Sequence, residues 1–449
     1  MDAGVFGEGE SRISRMLEAV TAGEGPDRIP GTFIKRAGRL LIDDDPVPPW
    51  DLGSCPYPYL DQAIGPSREG LLFLETMRGC PFRCRYCHYH KAFPNLRLHP
   101  WAQIQAVLDL AYSGNSGVEE IYLMDPSFNA RPEFRDLLKS MARRRTSGSP
   151  RLHAELRADF LTGEDVALFR EAGLSSAEVG LQTVNIEALR LAGRSGDPEE
   201  TAKGVTLLKG SGIEVTTGII VGLPGDTPEW FERTLQWLKR TESYSVVHPF
   251  VLSILPGTDF RANAAQLGLE YDPRPPYYVT STRTFPVAAL HEALDQCETV
   301  FDMELDYIPP PRLVDQGPYV IRTLDGARYV STWIVDTTRA DWSRILPGVI
   351  KRATDPFTFW FRGPGGPESE KAVIAVLGEF AQANPHCVVH VVFEFMKAPG
   401  PPFLDNAVAV ASHPGVYVNR AFSALRMEGE VVCPVFWLLW PDPGDAAVR

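Results

Sequence analysis

The sequence predicts an α/β protein whose central part is a partial barrel of six β/α units, with a short N-terminal connector and a small C-terminal α+β domain. From Leu71 onwards, strand-like apolar runs alternate six times with helix-like segments, the pattern of parallel β/α units. Helix starts are marked chemically, because Asp197 and Thr227 each place a capping side chain before a proline. Thr162 and Asp165 form a capping-box pair. Six such units predict an open partial barrel with its cavity at the carboxyl ends of the strands.

The N-terminal connector is predicted to span residues 1–66. It contains a helical stretch from Ile13 to Val20, and Gly38 marks a turn that predicts a hairpin from Thr32 to Ile42. The proline-rich run from Pro46 to Tyr59 cannot carry regular structure. This region is too short to form a domain of its own.

The barrel core is predicted to span residues 67–308. Its strands are expected near Leu71–Met77, Glu119–Asp125, His153–Asp159, Ala177–Gln182, Thr216–Val221 and Val246–Leu255. Its helices are expected near Trp101–Tyr112, Pro132–Arg144, Glu164–Ala172, Pro198–Lys209 and Pro228–Arg240, with a sixth after Gly257.

The C-terminal domain is predicted to span residues 309–449. A helix at Glu370–Ala383 is surrounded by strand-like runs, which predicts a small α+β domain. Those runs are Tyr319–Arg322, Arg328–Val335, Phe357–Phe361, Val388–Phe395 and Val435–Trp440.

Composition and charge limit the possible partners. The 449-residue chain is 44% hydrophobic and 22% charged, an ordinary globular balance. Its formal charge of -13 does not favour nucleic acid, whose phosphates demand dense Lys and Arg. No apolar run approaches the length of a membrane span, and no signal pattern opens the chain, so we expect a cytoplasmic protein without a membrane partner.

Three clustered cysteines, Cys80, Cys84 and Cys87, follow the first predicted strand. Their spacing puts three thiolates on one tight turn, close enough to hold three corners of an iron-sulfur cube. Ferredoxin-type clusters have four cysteines, so one iron here would be left to bind something else. One alternative is a zinc site completed by His88 or His90, but no second ligand pair exists. Another is a non-enzymatic electron carrier, which requires a fourth cysteine ligand.

The C-x-x-x-C-x-x-C loop, with Tyr86 before its last cysteine, resembles the signature of the radical S-adenosylmethionine (radical SAM) enzymes. The resemblance implies a 4Fe-4S cluster held by the three cysteines and SAM bound to the open iron, with Tyr86 near the adenine. It further implies cleavage of SAM to a 5'-deoxyadenosyl radical that abstracts hydrogen from a small-molecule or peptide substrate, in biosynthetic tailoring. A flavodoxin or ferredoxin reductase would donate the electron.

Further motifs indicate where SAM would bind. The turn that begins at Asp125 resembles the family's D-x-x-F-N turn, and Gln182 occupies the position of a Gln or Glu that faces the cofactor. Glu155 and Arg157 alternate along the third strand, where inward polar side chains line a cavity; a mutual salt bridge is the alternative. The turn with Gly222, Pro224 and Gly225 resembles the G-x-P-G-[ED]-[TS] motif, and Leu255 precedes a Pro-Gly-Thr that resembles the end of the adenine-contacting strand.

Within this superfamily, the sequence motifs most resemble those of the cobalamin-dependent subgroup. Gly7-Glu8-Gly9-Glu10 resembles the segment that joins its cobalamin-binding and radical domains, but the D-x-H-x-x-G ligand motif is missing from the sequence. We therefore expect a relative that lacks most of the cobalamin-binding domain, with cobalamin possible but not favoured. The alternative is a cobalamin-dependent methyltransferase whose cobalamin comes from a partner or a missing domain. A tRNA methylthiotransferase is not favoured, because the chain is acidic and has no second cysteine-bearing domain.

Overall fold

The computed structural model of the chain describes residues 3–23, 29–36, 39–43, 45, 48–55, 57–61, 63–67, 70–114, 116–273, 276–303, 305, 319–324, 327–339, 341–384, 387, 389–411 and 435–439. The chain forms two compact units. The first comprises Met1–Leu269 with Thr282–Phe285, and the second comprises Glu270–Ser281 with Pro286–Arg449. The boundaries expected from the sequence, after residues 66 and 308, stay predictions.

The first unit opens with a small antiparallel sheet and one helix: β1 (Ala3–Val5), α1 (Glu10–Thr21), β2 (Thr32–Arg36) and β3 (Arg39–Asp43). Strands β2 and β3 pair from Thr32↔Asp43 to Arg36↔Arg39, which confirms the predicted hairpin, although Gly38 itself lies outside the described residues. Strand β1 adds to this hairpin through β2 and was not predicted, because three residues are too few to show a period.

The rest of the first unit alternates strands and helices. In chain order these are β4 (Leu71–Leu74), β5 (Met77–Arg78), α2 (Tyr89–Ala92), β6 (Arg97–Leu98), α3 (Trp101–Ala111), β7 (Glu120–Leu123), α4 (Phe134–Arg144), β8 (Arg151–Leu156), α5 (Gly163–Ala172), β9 (Leu174–Gln182), α6 (Ile186–Leu191), α7 (Pro198–Gly210), β10 (Glu214–Val221), α8 (Pro228–Thr241), β11 (Val246–Val251), α9 (Asp259–Ala262) and α10 (Ala264–Leu267).

Six of these strands form one parallel sheet in the order β11-β10-β9-β8-β7-β4, which confirms the predicted partial (β/α)6 barrel. Alternate side chains of each strand face opposite sides. In β8, Leu152, Ala154 and Leu156 are buried in the hydrophobic core, whereas His153 and Glu155 are only partly buried on the other face. The helices therefore cover one face of the sheet, and the other face carries the polar side chains.

The predicted helix caps are present. Thr162 and Asp165 form the reciprocal capping box at the start of α5, with both backbone N–H groups hydrogen-bonded to the opposite side chain. Asp197 accepts from the Glu199 N–H at 2.9 Å, and Thr227 accepts from the Trp230 N–H at 3.2 Å. These caps satisfy donors that the first turn of a helix leaves free.

The structure corrects some predicted bounds. Strand β8 ends at Leu156, and Ala158–Phe160 forms a 3₁₀ turn, so the expected strand to Asp159 is too long. The last barrel strand, expected to reach Leu255, ends at Val251. Helix α6 was missed because six residues give less than two helical turns of periodicity.

The second unit contains β12 (Glu270–Tyr271), β13 (Val279–Ser281), α11 (Val287–Phe301), β14 (Tyr319–Leu324), β15 (Ala327–Asp336), α12 (Trp342–Ile350), β16 (Ala353–Gly363), α13 (Pro367–Ala383), β17 (Val389–Phe395), α14 (Pro401–Ala411) and β18 (Val435–Leu439). Strands β14 to β18 form one sheet in sequence order, with β14 and β15 antiparallel and the other neighbours parallel. Helices α11, α12 and α14 were not predicted.

The core of this second sheet is aromatic, with Phe357, Phe359, Phe361, Phe380 and Phe393 almost fully buried. Among the described helices of the whole chain, none combines the length and apolar character that a membrane crossing requires.

Candidate functional site

The cysteine loop begins where β4 and β7 end side by side. Asp125, directly after β7, accepts hydrogen bonds from the N–H groups of Thr76 at 2.8 Å and Met77 at 3.0 Å, and from the Thr76 hydroxyl. Burial raises the pKa of the Asp125 carboxyl to about 6, against the opposing effect of these hydrogen bonds. Arg131 donates to the Thr76 carbonyl. Asp125 therefore positions the chain that leads into the loop.

The start of the loop needs a glycine. Gly79, next to Cys80, has φ +107°, and a Cβ added there would overlap the carbonyl oxygen of Asn95. A side chain at this position would be strained and would also push the loop away from the segment that follows it. The close approach keeps Cys80 beside the end of the first barrel strand.

A salt-bridge network joins the loop to the N-terminal segment. Arg78 forms ion pairs with Glu8 at 2.7 Å, Glu10 at 2.6 Å and Glu75 at 2.8 Å. Glu8 also pairs with Arg97 at 2.5 Å. Although burial opposes ionisation, hydrogen bonds from Arg97 and Arg78 lower the pKa of Glu8. The Gly-Glu-Gly-Glu segment is thus tied to the residue two positions before Cys80.

All three cysteines line one cavity of about 290 Å³ at the polar face of the barrel sheet. Burial raises the pKa of the Cys80 and Cys87 thiols. Of the predicted cofactor residues, the cavity is also lined by Tyr86, Glu155, Arg157 and Gln182. The remaining ones do not line it: Asp125, Gly222, Pro224, Gly225 and Leu255.

The donor set fits a cluster better than a single ion. Three thiols from one loop open into the same cavity, and a cube takes its thiolates at different irons. Within the described part of the chain, no three His, Cys, Asp or Glu side chains converge on one metal ion. The zinc alternative gains nothing from His88 or His90, because neither lines the cavity. The His88 ring instead lies against Gly257, where an added Cβ would be 2.7 Å from Cε1.

A half-buried arginine that the sequence analysis missed lies beside the cysteines. Arg194 follows α6, its guanidinium is 4.0 Å from the Cys84 Sγ, and it donates to the carbonyl of Gly180. A cation at this distance stabilises thiolate charge. In the sequence, the one signal for Arg194 is its position between two glycines, Gly193 and Gly196. In the structure both glycines have positive φ.

Arg157 does not form the salt bridge with Glu155 that was the alternative to a cavity role. Its guanidinium pairs with Asp159 at 2.6 and 2.8 Å and donates to the Ser195 carbonyl at 2.6 Å. It also lies over the Phe82 ring, 4.3 Å from the centroid. The remaining nitrogen, Nη1, is buried without a hydrogen-bond partner. One donor of Arg157 is therefore left for a ligand.

Gln182 ends β9 in a strained conformation. Its φ is +72°, and the pairing with β10 shifts register there, because Gly218 faces Gly180 whereas Ile219 faces Gln182. A non-glycine residue in the left-handed region costs free energy, and such residues cluster at functional sites. The Gln182 Oε1 is buried and lacks a partner.

The carboxylate of Glu155 lies within the same cavity. Burial, followed by the charge of Glu178, raises the pKa of Glu155 to about 7. Glu178 itself was not predicted as a site residue, nor were Ser127, His248 and Phe250, which also line the cavity. For Glu178 the signal was the alternating polar pattern of its strand, but this pattern does not say which strands lie side by side.

The predicted glycine-rich turn is held by residues outside the cavity. Gly222 and Gly225 both have positive φ, as such turns require. Asn185 donates to the carbonyl of Gly225 and to Asp226, both at 3.1 Å. The Leu255 carbonyl accepts from the Thr258 hydroxyl at 2.7 Å. The cofactor contacts of this turn and of Leu255 stay predictions.

The fold and the cysteine loop together define the class. A parallel β/α sheet that carries a three-cysteine loop after its first strand is the radical SAM architecture, and residues 74–238 match the model of the radical SAM superfamily. Residues 74–238 are therefore a region similar to the radical SAM superfamily, and this class implies a 4Fe-4S cluster and SAM as cofactors.

Its relatives include cobalamin-dependent methyltransferases. An uncharacterized methyltransferase, PH0819, of Pyrococcus horikoshii is 23% identical over 275 residues, which cover 58% of this chain and 57% of that protein. The cobalamin-dependent radical SAM methyltransferase TokK of Streptomyces tokunonensis is 24% identical, over 62% of this chain and 43% of that protein. The chain thus spans about half the length of these relatives.

Among solved structures, the radical S-adenosylmethionine methyltransferase TsrM from Kitasatospora setae, with tryptophan substrate and a SAM analogue bound, has a similar fold. The TM-score is 0.53 at 19% identity, over 67% of both chains. At this identity the likeness concerns the fold alone.

Proposed function

We propose that the enzyme holds a 4Fe-4S cluster on Cys80, Cys84 and Cys87 and uses SAM to abstract hydrogen from a small-molecule or peptide substrate. The observation that carries this proposal is that the three thiols open into the same cavity as the polar face of β8 and β9. When bound, the cluster and SAM would supply a one-electron reduction and a 5'-deoxyadenosyl radical.

The residues around the cavity have distinct roles in this proposal. The three thiolates would hold the cluster, and the half-buried guanidinium of Arg194 would offset part of their charge. Asp125 positions the loop without touching the cavity. Ser127 Oγ, Arg157 Nη1 and Gln182 Oε1 are buried polar atoms without partners, which makes them the groups to bind the polar parts of SAM. Tyr86 would lie against its adenine.

An external one-electron donor, a flavodoxin or ferredoxin, belongs to the same proposal. Within the described residues the loop leaves Arg83 exposed between Cys80 and Cys84. A basic side chain beside the cluster suits an acidic electron-transfer protein, since complementary charge steers such encounters.

The test is anaerobic reconstitution with iron, sulfide and SAM, followed by measurement of 5'-deoxyadenosine under a chemical reductant. Wild type should form the nucleoside, and Cys84→Ala should lose both iron content and nucleoside. Cys387→Ala is the matched control, because that thiol lies in the second unit and donates to the Thr354 carbonyl. Full iron content and SAM cleavage in Cys84→Ala would overturn the assignment.

A second candidate function is cobalamin-dependent methyl transfer. It is favoured by the similarity to PH0819 and TokK, which are a methyltransferase and a cobalamin-dependent methyltransferase. The two candidates are separated by incubating the chain with hydroxocobalamin, desalting it and reading the visible spectrum. If the desalted chain retains a stoichiometric amount of corrin, methyl transfer becomes the preferred function. If the corrin is removed by desalting, hydrogen abstraction remains the proposed function of the chain itself.

A further inference from the structure

Two carboxylates face each other across the strands that line the cavity. Glu155 on β8 and Glu178 on β9 are direct cross-strand partners, and Thr216 on β10 is the next residue in the same row. All three line the cavity that the cysteines share. Side chains directly opposite one another in neighbouring strands lie close together, so like charges there destabilise the pair.

No cation of the described residues neutralises this pair. Among the residues that the structure describes, Glu178 forms an ion pair only with His153, whose Nε2 lies 4.0 Å away, and burial lowers the pKa of His153, which favours the neutral ring. Its other nitrogen, Nδ1, is engaged with the Ser176 hydroxyl at 2.8 Å. Arg157, the nearest arginine along the chain, is paired with Asp159. The two carboxylates are therefore left facing the cavity without a positive partner.

In the row of residues next to Glu155 and Glu178, both β9 and β10 carry a glycine and therefore no side chain. Gly180 and Gly218 are direct cross-strand partners, and both line the cavity. A Cβ added to Gly218 would lie 3.3 Å from the Phe250 ring, so a larger residue would crowd that ring. The two glycines leave a flat opening in front of β9 and β10.

An aromatic wall borders this opening. His248 and Phe250 on β11 stack with ring centroids 4.1 Å apart and an interplanar angle of 27°. His248 is the cross-strand partner of Gly218. Phe250 remains 45% exposed although it lines the cavity, so its ring offers an apolar face to a ligand. Planar groups pack well against such a face.

The cavity also has the signs of a ligand site apart from the carboxylates. Ser127 is 2% exposed and Arg157 is 5% exposed, both line the cavity, and Ser127 Oγ and Arg157 Nη1 have no partner. Buried polar atoms are almost always hydrogen-bonded, so these two indicate a polar occupant. The sequence motifs placed Glu155 among the cofactor residues, but its cross-strand pairing with Glu178 groups it instead with the row that is open to the substrate.

Resting on the proposed function, we infer that the substrate carries a protonated nitrogen held between Glu155 and Glu178, with a planar group over Gly180 and Gly218 against Phe250. A cationic nitrogen between the carboxylates offsets their mutual repulsion, because it supplies the positive charge that this row of residues does not contain. The ring then occupies the opening beside it. The substrate class is thus an amine attached to a planar, apolar group.

The test uses two probes of similar size, 2-phenylethylamine and 3-phenylpropionate, and reconstituted protein with SAM. Binding is measured by saturation-transfer NMR and titration calorimetry. The amine should bind wild type and weaken at least about tenfold in Glu178→Gln and in Glu155→Gln, because each substitution removes one charged acceptor. The control Glu164→Gln, exposed on α5, should bind as wild type does.

Equal binding of the two probes to wild type, or unchanged amine binding in both Gln variants, would overturn the inference. If the Glu178→Gln variant does not fold, amine binding to the Glu155→Gln variant alone decides the test. Formation of 5'-deoxyadenosine is measured on the same wild-type sample. Failure of the amine to bind while the nucleoside forms refutes only the substrate class, and absence of the nucleoside refutes the proposed function.

Discussion

The carboxylate of Asp125, at the end of β7, accepts hydrogen bonds from the backbone N–H of Thr76 at 2.8 Å and from the Thr76 hydroxyl. Thr76 is four residues before Cys80 and 49 residues before Asp125. The geometry of the cysteine loop therefore depends on a neighbouring strand end as well as on its own sequence. Asp125 was predicted as a cofactor residue, but its contacts are those of a residue that positions the loop.

Asp125→Ala should destabilise the protein by about 3 kcal/mol, because it leaves the N–H groups of Thr76 and Met77 buried without an acceptor. Asp125→Asn keeps one side-chain oxygen and should cost only about 1 kcal/mol. Urea unfolding measures both free energies, and iron content after reconstitution should fall more in the Ala variant. Equal stability of the two variants would contradict this role.

Gly204 on α7 should not tolerate a side chain, because an added Cβ would overlap the backbone carbonyl oxygen of Ala158. Gly204→Ala is expected to lower the free energy of unfolding by about 2 kcal/mol or more, since backbone must move. Gly210→Ala, at the end of the same helix, meets nothing within 4 Å and should stabilise the protein by about 0.5 kcal/mol. Thermal and urea unfolding distinguish the two. A neutral Gly204→Ala would mean that α7 lies farther from this turn.

Glu155 should make stability depend on pH. Its pKa is raised from 4.5 to about 7 on folding, so the folded protein binds this proton more tightly than the unfolded chain does. The resulting stabilisation is fully present below pH 4.5 and is lost as the pH rises through 7. Between pH 5 and pH 8, wild type should lose about 2 kcal/mol relative to Glu155→Gln.

Urea unfolding of the protein without cofactors, at several pH values, measures this difference. The exposed Glu164→Gln variant serves as the control and should follow wild type at every pH. A parallel course of wild type and Glu155→Gln would show that the Glu155 carboxyl is ionised throughout this range.

Gly225→Val is expected to weaken SAM binding while the cluster spectrum is retained. Gly225 has φ +82°, and an added Cβ would lie 2.6 Å from the Leu191 side chain, so the turn must move. The turn is distant in sequence from the cysteines, which should still hold iron. Equilibrium binding of SAM to the reconstituted protein gives the readout, and unchanged affinity would return this turn to a purely structural role.

Local signals predicted much of the fold. The capping residues Thr162, Asp197 and Thr227 act within three residues of themselves, so they could be recognised without any tertiary information. Short elements such as α6 and β1 could not, because they contain too few residues to show a period. Asp159 as the partner of Arg157 was also missed, since the strand was expected to continue where a 3₁₀ turn begins.

The three-cysteine site could be predicted without any tertiary information, because three cysteines within eight residues lie on one loop whatever the rest of the chain does. The alternation of strands and helices could be predicted in the same way, because it depends on local hydrophobic period. By contrast, the contact of Glu178 with Glu155 and that of Arg194 with Cys84 depend on how distant segments pack. These residues are 23 and 110 positions apart, and strand register brings the two glutamates together; a slip of one residue would turn Glu178 to the opposite face of the sheet.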